Sequence, residues 1–212
     1  MGNRYAEIAF TEGVRAAQLR YGSRMPSREP RTAQSPPDRL GPREVEFIAE
    51  RDSFYMATVG ETGWPYLQHR GGPAGFLRVL APDTLGFADY RGNRQYVTTG
   101  NLAADDRVAL ILVDYAARRR LKLMGRARLV EASADAELVA RLHPAGYAAR
   151  AERAMLISVE AFDWNCSQHI TPRYTIADIA PGIETLQRRI AELESQLAKG
   201  GVATPTNVVS QA

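Results

Sequence analysis

RVALILVDYAARRRLKLMGRARLVE, residues 107–131, carries two strand patterns back to back. The first, 107–115, is strongly apolar, as in a strand that runs through a core. The second, 119–131, alternates basic and apolar residues, as in a strand with one face on the core and the other exposed or facing a ligand. The short link between them suits a hairpin.

Upstream, the same reading repeats. FYMATV (54–59), the turn GETG (60–63) and PYLQHR (65–70) form one hairpin. FLRVLA (76–81) and TLGFAD (84–89), joined by Pro82-Asp83, form another. Downstream, SADAE opens a helix over 133–142 with a capping-box pattern, and AMLISVEAFDWN (154–165) reads as a last long strand. Strands at hairpin spacing with few inserted helices predict a mainly β fold with flanking helices, an antiparallel barrel rather than βαβ units. Neither GxGxxG after a strand nor GxxxxGKS/T occurs, so both standard nucleotide fingerprints are missing.

The ends of the chain differ from its middle. Residues 5–20 place Ile8, Val14, Ala17 and Leu19 near one helical face, and 22–39 hold four prolines in an extended wrap. Residues 1–40 are thus expected to be a helix and a proline-rich arm. Residues 42–50 read as a helix with proline in its first turn. After Pro181, Ile183, Leu186, Ile190, Leu193 and Leu197 are spaced 3, 4, 3, 4, a short heptad seam. That helix, 181–198, packs on its own domain or pairs with a second subunit. The tail 199–212 is expected to fray.

Composition narrows the chemistry. The chain has 212 residues, 45% hydrophobic, which suffices for one good-sized core. No apolar run approaches the roughly 18 residues of a membrane span, and no signal-peptide pattern opens the chain. A cytoplasmic protein without membrane contact is expected. Cys166 is the sole cysteine, so no intrachain disulfide can form, and His69, His143 and His169 lack zinc-ligand spacing. Lys122 and Lys199 are the only lysines, which leaves Schiff-base chemistry almost no nucleophile. A net charge of +3 argues against a nucleic-acid partner.

Chemistry concentrates in four places. In FADYRGNRQYVTTGNL (87–102), Asn93 either caps a helix or belongs to a phosphate grip with Arg94 and Gln95 at a helix N-terminus. QHRGGPAG (68–75) ends a strand in Gln, His and Arg before two glycines. Arg120 and Lys122 share one face of a strand. FDWNCSQHITPR (162–173) gathers Trp164, Asn165, Cys166, Gln168 and His169 just past an apolar strand.

These segments, in this order over residues 45–175, resemble the pyridoxamine 5′-phosphate oxidase-related, FMN-binding split-barrel family. The likeness is to the branch of flavin-nucleotide-binding proteins that carry an NC-x-QHI-x-PR segment, here Asn165 to Arg173. It implies that residues 41–180 are a split β-barrel, forming a homodimer with FMN in clefts at the subunit interface. Relatives use FAD, deazaflavin or haem instead. By the same likeness Arg70, with His69 and Gly71 beside it, ends a strand that reaches the flavin, and Ala88, Asp89 and Tyr90 pass its ring. Asn93, Arg94 and Gln95 match the family's Ser-Arg-Lys phosphate grip, with Gln95 in place of lysine. Arg120 falls near a flavin-touching glutamine, Lys122 lies beside it, and Gln168 and His169 come from the far side of the cleft. The arginine-proline segment by which pyridoxamine phosphate oxidases proper hold substrate is not found, so that activity is not expected. Two readings stand. One is an FMN-dependent oxidoreductase using a nicotinamide nucleotide or small reductant; the other is a flavin- or haem-binding protein for storage, sensing or detoxification.

Overall fold

The computed structural model describes residues 3–23, 35–165 and 167–199. Its elements run α1 (Asn3–Ala9), α2 (Glu12–Arg20), α3 (Pro42–Ala49), β1 (Ser53–Val59), β2 (Pro65–Gly71), β3 (Arg78–Ala81), β4 (Thr84–Tyr90) and α4 (Val97–Ala104). They continue through β5 (Arg107–Asp114), β6 (Arg119–Glu131), α5 (Ala136–Leu142), β7 (Ala151–Asn165) and α6 (Ile176–Lys199). Residues up to Ile170 form one unit and those from Thr171, which include α6, a second.

The strands make one seven-stranded sheet in the order β2-β1-β5-β6-β7-β4-β3. Every pairing is antiparallel, as the hairpin spacing requires. Period-two alternation assigns the faces. Phe54 and Met56 of β1, Leu110 and Leu112 of β5, and Leu121 and Leu123 of β6 point into one core. The sheet curls so strongly that its two ends meet across this core. Phe54 of β1 lies 5.4 Å from Phe87 of β4 and 5.6 Å from Phe76, ring centroid to ring centroid. This is a split barrel of the β+α class.

Helices seal it. α3 puts Phe47 and Ile48 into the core, where Phe47 meets the Trp164 ring edge-on at 4.8 Å. The Trp164 indole N–H donates to Glu44 at 2.6 Å. α5 lays Leu138, Val139 and Leu142 over the other face of β4 and β7, against Ala88, Ala154 and Leu156. β4 is therefore buried on both faces, which its continuous run of small and apolar residues permits.

Two local devices shape the sheet. At the β5–β6 turn, Arg118 takes φ 52°, in the left-handed region. The Asp114 carboxylate accepts the Ala117 N–H at 2.8 Å and a hydrogen bond from Arg119 at 2.8 Å, with Arg51 at 3.5 Å. Burial pushes the Asp114 carboxyl up. The Ala117 N–H and the two guanidiniums outweigh it and hold the pKa below the ordinary 3.8. Between β6 and β7 the register shifts at Met124/Gly125, and Glu160 is the extra residue of the bulge. Gly125 sits so close to β7 that a Cβ there would lie 2.5 Å from the Ser158 carbonyl oxygen.

Several expected elements differ in extent. Residues 5–20 form two helices, because Thr11 ends the first stretch and its hydroxyl accepts the Val14 N–H to open α2. The helix expected to start at Asn93 begins only at Val97, since Arg94 and Tyr96 adopt φ 62° and 52° and block an earlier start. Asn93 is therefore not its cap: its Oδ1 accepts the Gln95 N–H at 3.1 Å in a local turn. α5 is capped by Asp135 rather than Ser133. α6 begins at Ile176 and carries Pro181 inside it. Most of the proline-rich arm (24–34) and the tail from 200 onward lie outside the described residues.

Gly125→Ala is expected to destabilise the chain by about 1–3 kcal/mol, because backbone rather than a flexible side chain blocks the methyl group. A denaturant midpoint unchanged from wild type would contradict this. Asp114→Asn is expected to cost about 1–3 kcal/mol at pH 7, the loss of charge-assisted bonds to a partly buried turn. The depressed pKa sets the sign. The ionised carboxylate stabilises the fold above pH 3.8, and this stabilisation fades as pH falls through the lower folded value. Denaturation of both proteins at pH 7 and pH 3 checks it, and the gap should narrow in acid.

Candidate functional site

Strand alternation puts Tyr66, Gln68 and Arg70 on the inward face of β2, opposite Thr58, Met56 and Phe54. β4 ends with Asp89 and Tyr90, and antiparallel pairing sets Asp89 beside Arg153 of β7. The loop 91–96 and the first turn of α4 close the remaining side. Together they line a shallow open cleft of about 50 Å³, with Arg70, Asp89, Tyr90, Asn93, Arg94, Gln95 and Arg153 in its walls.

Asp89 is the centre of its floor. One oxygen accepts from Arg70 at 2.6 Å and the other from Arg153 at 3.1 Å. Asp89 is 5% exposed and Arg153 9%, so the network is shielded from water. Burial alone would lower the Arg153 pKa, but its bonds to Glu131 and Asp89 raise it, so the guanidinium stays charged. Thr98 of α4 donates to Gln68 at 3.0 Å, and the Tyr96 hydroxyl donates to Glu152 at 3.2 Å. These bonds hold α4 against β2 and β7.

Several donors are left over. Arg70 Nε is buried with no hydrogen-bond partner, and so is the Tyr90 hydroxyl. Tyr90 packs against the rings of Tyr147 at 5.2 Å and His143 at 5.7 Å. Burial there pushes its pKa up to about 12, so it remains a neutral phenol. Arg94 is exposed and has no acidic partner among the described residues. Tyr96, the N-cap of α4, gives no side-chain hydrogen bond to the first turn. The first turn of α4 and the Arg94 guanidinium thus stand on one rim of the cleft, and groups of this kind attract anions.

Of the expected site residues, Arg70, Asp89, Tyr90, Asn93, Arg94 and Gln95 line this cleft. The others do not. His69 lies on the opposite face of β2, edge-on to Tyr55 at 5.4 Å. Gly71 pairs with Ser53 at the strand end, and Ala88 is buried beneath α5. Arg120 and Lys122 lie on β6, in register with Val113 and Ile111. Lys122 sits 3.3 Å from Asp163 and 4.9 Å from the Tyr5 ring centroid. Gln168 and His169 are exposed beyond β7, and Cys166 lies outside the described residues.

Sequence reading missed Gln68, Tyr96, Thr98 and Arg153 as cleft residues. Arg153 had a signal, a lone arginine at the head of a long apolar strand. Its partner became visible only through the β4–β7 register.

The family description Pyridoxamine 5′-phosphate oxidase matches residues 40–165, and the chain belongs to this family. No curated protein matches it at a significant level. Among solved structures, it is similar to HupZ of Group A Streptococcus, with 14% identity and a TM-score of 0.48 over 64% of this chain and 100% of that one. A putative pyridoxamine 5′-phosphate oxidase from Lactobacillus delbrueckii shows 18% identity and a TM-score of 0.42 over 59% and 93%. The haem storage protein HutZ of Vibrio cholerae shows 17% identity and a TM-score of 0.36 over 59% and 94%. Among the described residues no helix is long and apolar enough to cross a membrane.

Asp89→Ala takes the carboxylate partner from the largely buried Arg70 and one of three from Arg153. It is expected to lower stability by about 3–5 kcal/mol. A loss below about 1 kcal/mol in urea denaturation would mean that water already screens the pair.

Proposed function

We propose that this chain binds FMN through the cleft and serves as a flavin-dependent oxidoreductase for a small substrate. The observation that carries the reading is the anion-ready rim: unpaired Arg94, buried Arg70 Nε and the uncapped start of α4. An FMN phosphate is nearly a dianion at neutral pH and matches that set. Arg94, Gln95 and the first-turn amides would hold the phosphate. Arg70 would face the ribityl chain or the ring edge, with a donor to offer. The flavin, when bound, supplies hydride exchange with the substrate. The protein's own task is to orient it, keep Arg70 and Arg153 charged, and exclude water from the floor.

Gln95 contributes a neutral donor where the family pattern has a lysine, so the phosphate relies more heavily on Arg94. Haem is less well served. His69, His143 and His169 would have to supply its axial bond, and none of them lines the cleft. His143 is engaged with the Tyr147 carbonyl at 3.0 Å.

A homodimer completes the proposal. The outward face of β1 and β2 exposes Tyr55, Val59 and Leu67 at 39, 37 and 63%. Apolar surface of this kind fits a second barrel. With a second copy present, residues such as His69 and Lys122 on that outer face would come near the partner's flavin rather than their own.

Titration with FMN and riboflavin in parallel tests the phosphate assignment. FMN should bind far more tightly, and Arg94→Ala should weaken FMN about 10–100-fold while leaving riboflavin unchanged. Equal binding of the two flavins would overturn it. Oxidation of NADH or NADPH in air by the loaded protein then separates turnover from storage.

A further inference from the structure

α6 carries a longer apolar seam than the stretch after Pro181 suggested. Ile176, Ile179, Ile183, Leu186, Ile190, Leu193 and Leu197 follow one another at steps of 3 and 4 over the whole helix. In heptad terms Ile176, Ile183, Ile190 and Leu197 occupy a, and Ile179, Leu186 and Leu193 occupy d. Every one is at least 40% exposed, from Leu197 at 40% to Ile176 at 83%. Pro181 falls at f, the position farthest from the seam, where a missing N–H disturbs pairing least. Its carbonyl accepts the Thr185 hydroxyl at 2.8 Å.

Side-chain shape specifies the occupant. After Pro181 both complete heptads have Ile at a and Leu at d. In parallel packing, β-branched residues at a with leucine at d favour two strands over three or four. Charge specifies the direction. Arg189 is at g and Glu194 at the following e, so in a parallel, in-register pair each Arg189 meets Glu194 of the second copy, twice by symmetry. An antiparallel pair would face e with e and g with g, and would align no opposite charges there. Within one chain Arg189 pairs with Glu192 at 2.9 Å. Both side chains are about 60% exposed, so this weak contact yields readily to a second partner.

We propose that α6 forms a parallel, in-register, two-stranded coiled coil with α6 of a second copy of this chain. The pairing clasps two chains independently of whether their barrels bind flavin or each other. It places the two Lys199 ends of α6 side by side.

The test uses the full chain with Cys166→Ser as background, so that single cysteines report alone. Leu193→Cys, at d, should form a disulfide-linked dimer under mild oxidation at least about tenfold faster than Ser195→Cys, at f. Arg189→Glu should slow that cross-linking, Glu194→Arg should slow it too, and the double swap should restore it. Equal rates for Leu193→Cys and Ser195→Cys would overturn the pairing. Preferential cross-linking between Leu193→Cys and Ala180→Cys chains would overturn the parallel direction. A sedimenting dimer that binds FMN but shows no Leu193→Cys cross-link would remove this inference and leave the flavin reading intact.

Discussion

A carboxylate held between two guanidiniums organises this molecule. Asp89 sits on a strand near one end of the sheet, Arg70 on the strand at the other end, and Arg153 between. Three charges in a shielded place are tolerated only when their hydrogen bonds are made. Asp89 uses both oxygens and Arg153 spreads over Asp89, Glu131 and Glu152. Only Arg70 keeps a buried donor unused. The triad therefore does two things at once. It latches the ends of a curled sheet, as the phenylalanine cluster beneath does by apolar contact, and it leaves one directed donor beside the cleft.

The loop above the triad is shaped by backbone rather than by side chains. Arg94 and Tyr96 both occupy the left-handed region, at a cost of about 1–2 kcal/mol each. Their effect is to delay the helix until Val97. Tyr96 is held there by its hydroxyl bond to Glu152 and by the Arg153 guanidinium over its ring at 5.2 Å. Strain in the loop is thus supported by the same strand that supports Asp89. Binding surface and latch are one structure.

Family membership and the strand pattern agree on the barrel, and the fold divides the expected site residues into two sets. Arg70 through Gln95 gather on one cleft of a single chain. His69 and Lys122 share the outward sheet face, which also exposes Tyr55, Val59 and Leu67. Strand alternation separates them: Arg70 turns to the cleft and His69, its neighbour on β2, to the other face.

Much of the barrel was legible in the sequence because strands announce themselves locally. Period-two alternation in 119–131, the apolar run of 107–115 and the turn residues at 60–63 required no knowledge of distant segments. The heptad seam of α6 was legible for the same reason, since spacing along one helix fixes which side chains share a face. Arg94 and Gln95 were legible as donors at a helix N-terminus, although the sequence put them inside its first turn and the structure puts them in the loop before it. What lay beyond reach was everything decided by pairing between segments far apart. That β4 joins β7 and not β2, that Arg153 lies against Asp89, and that His69 turns away from Arg70's cleft follow from register and curl. Those depend on the packing of the whole core. The start of α4 was missed for a related reason: left-handed residues at 94 and 96 have no signature in residue type, and Tyr96 is held by contacts to Glu152 and Arg153 far along the chain.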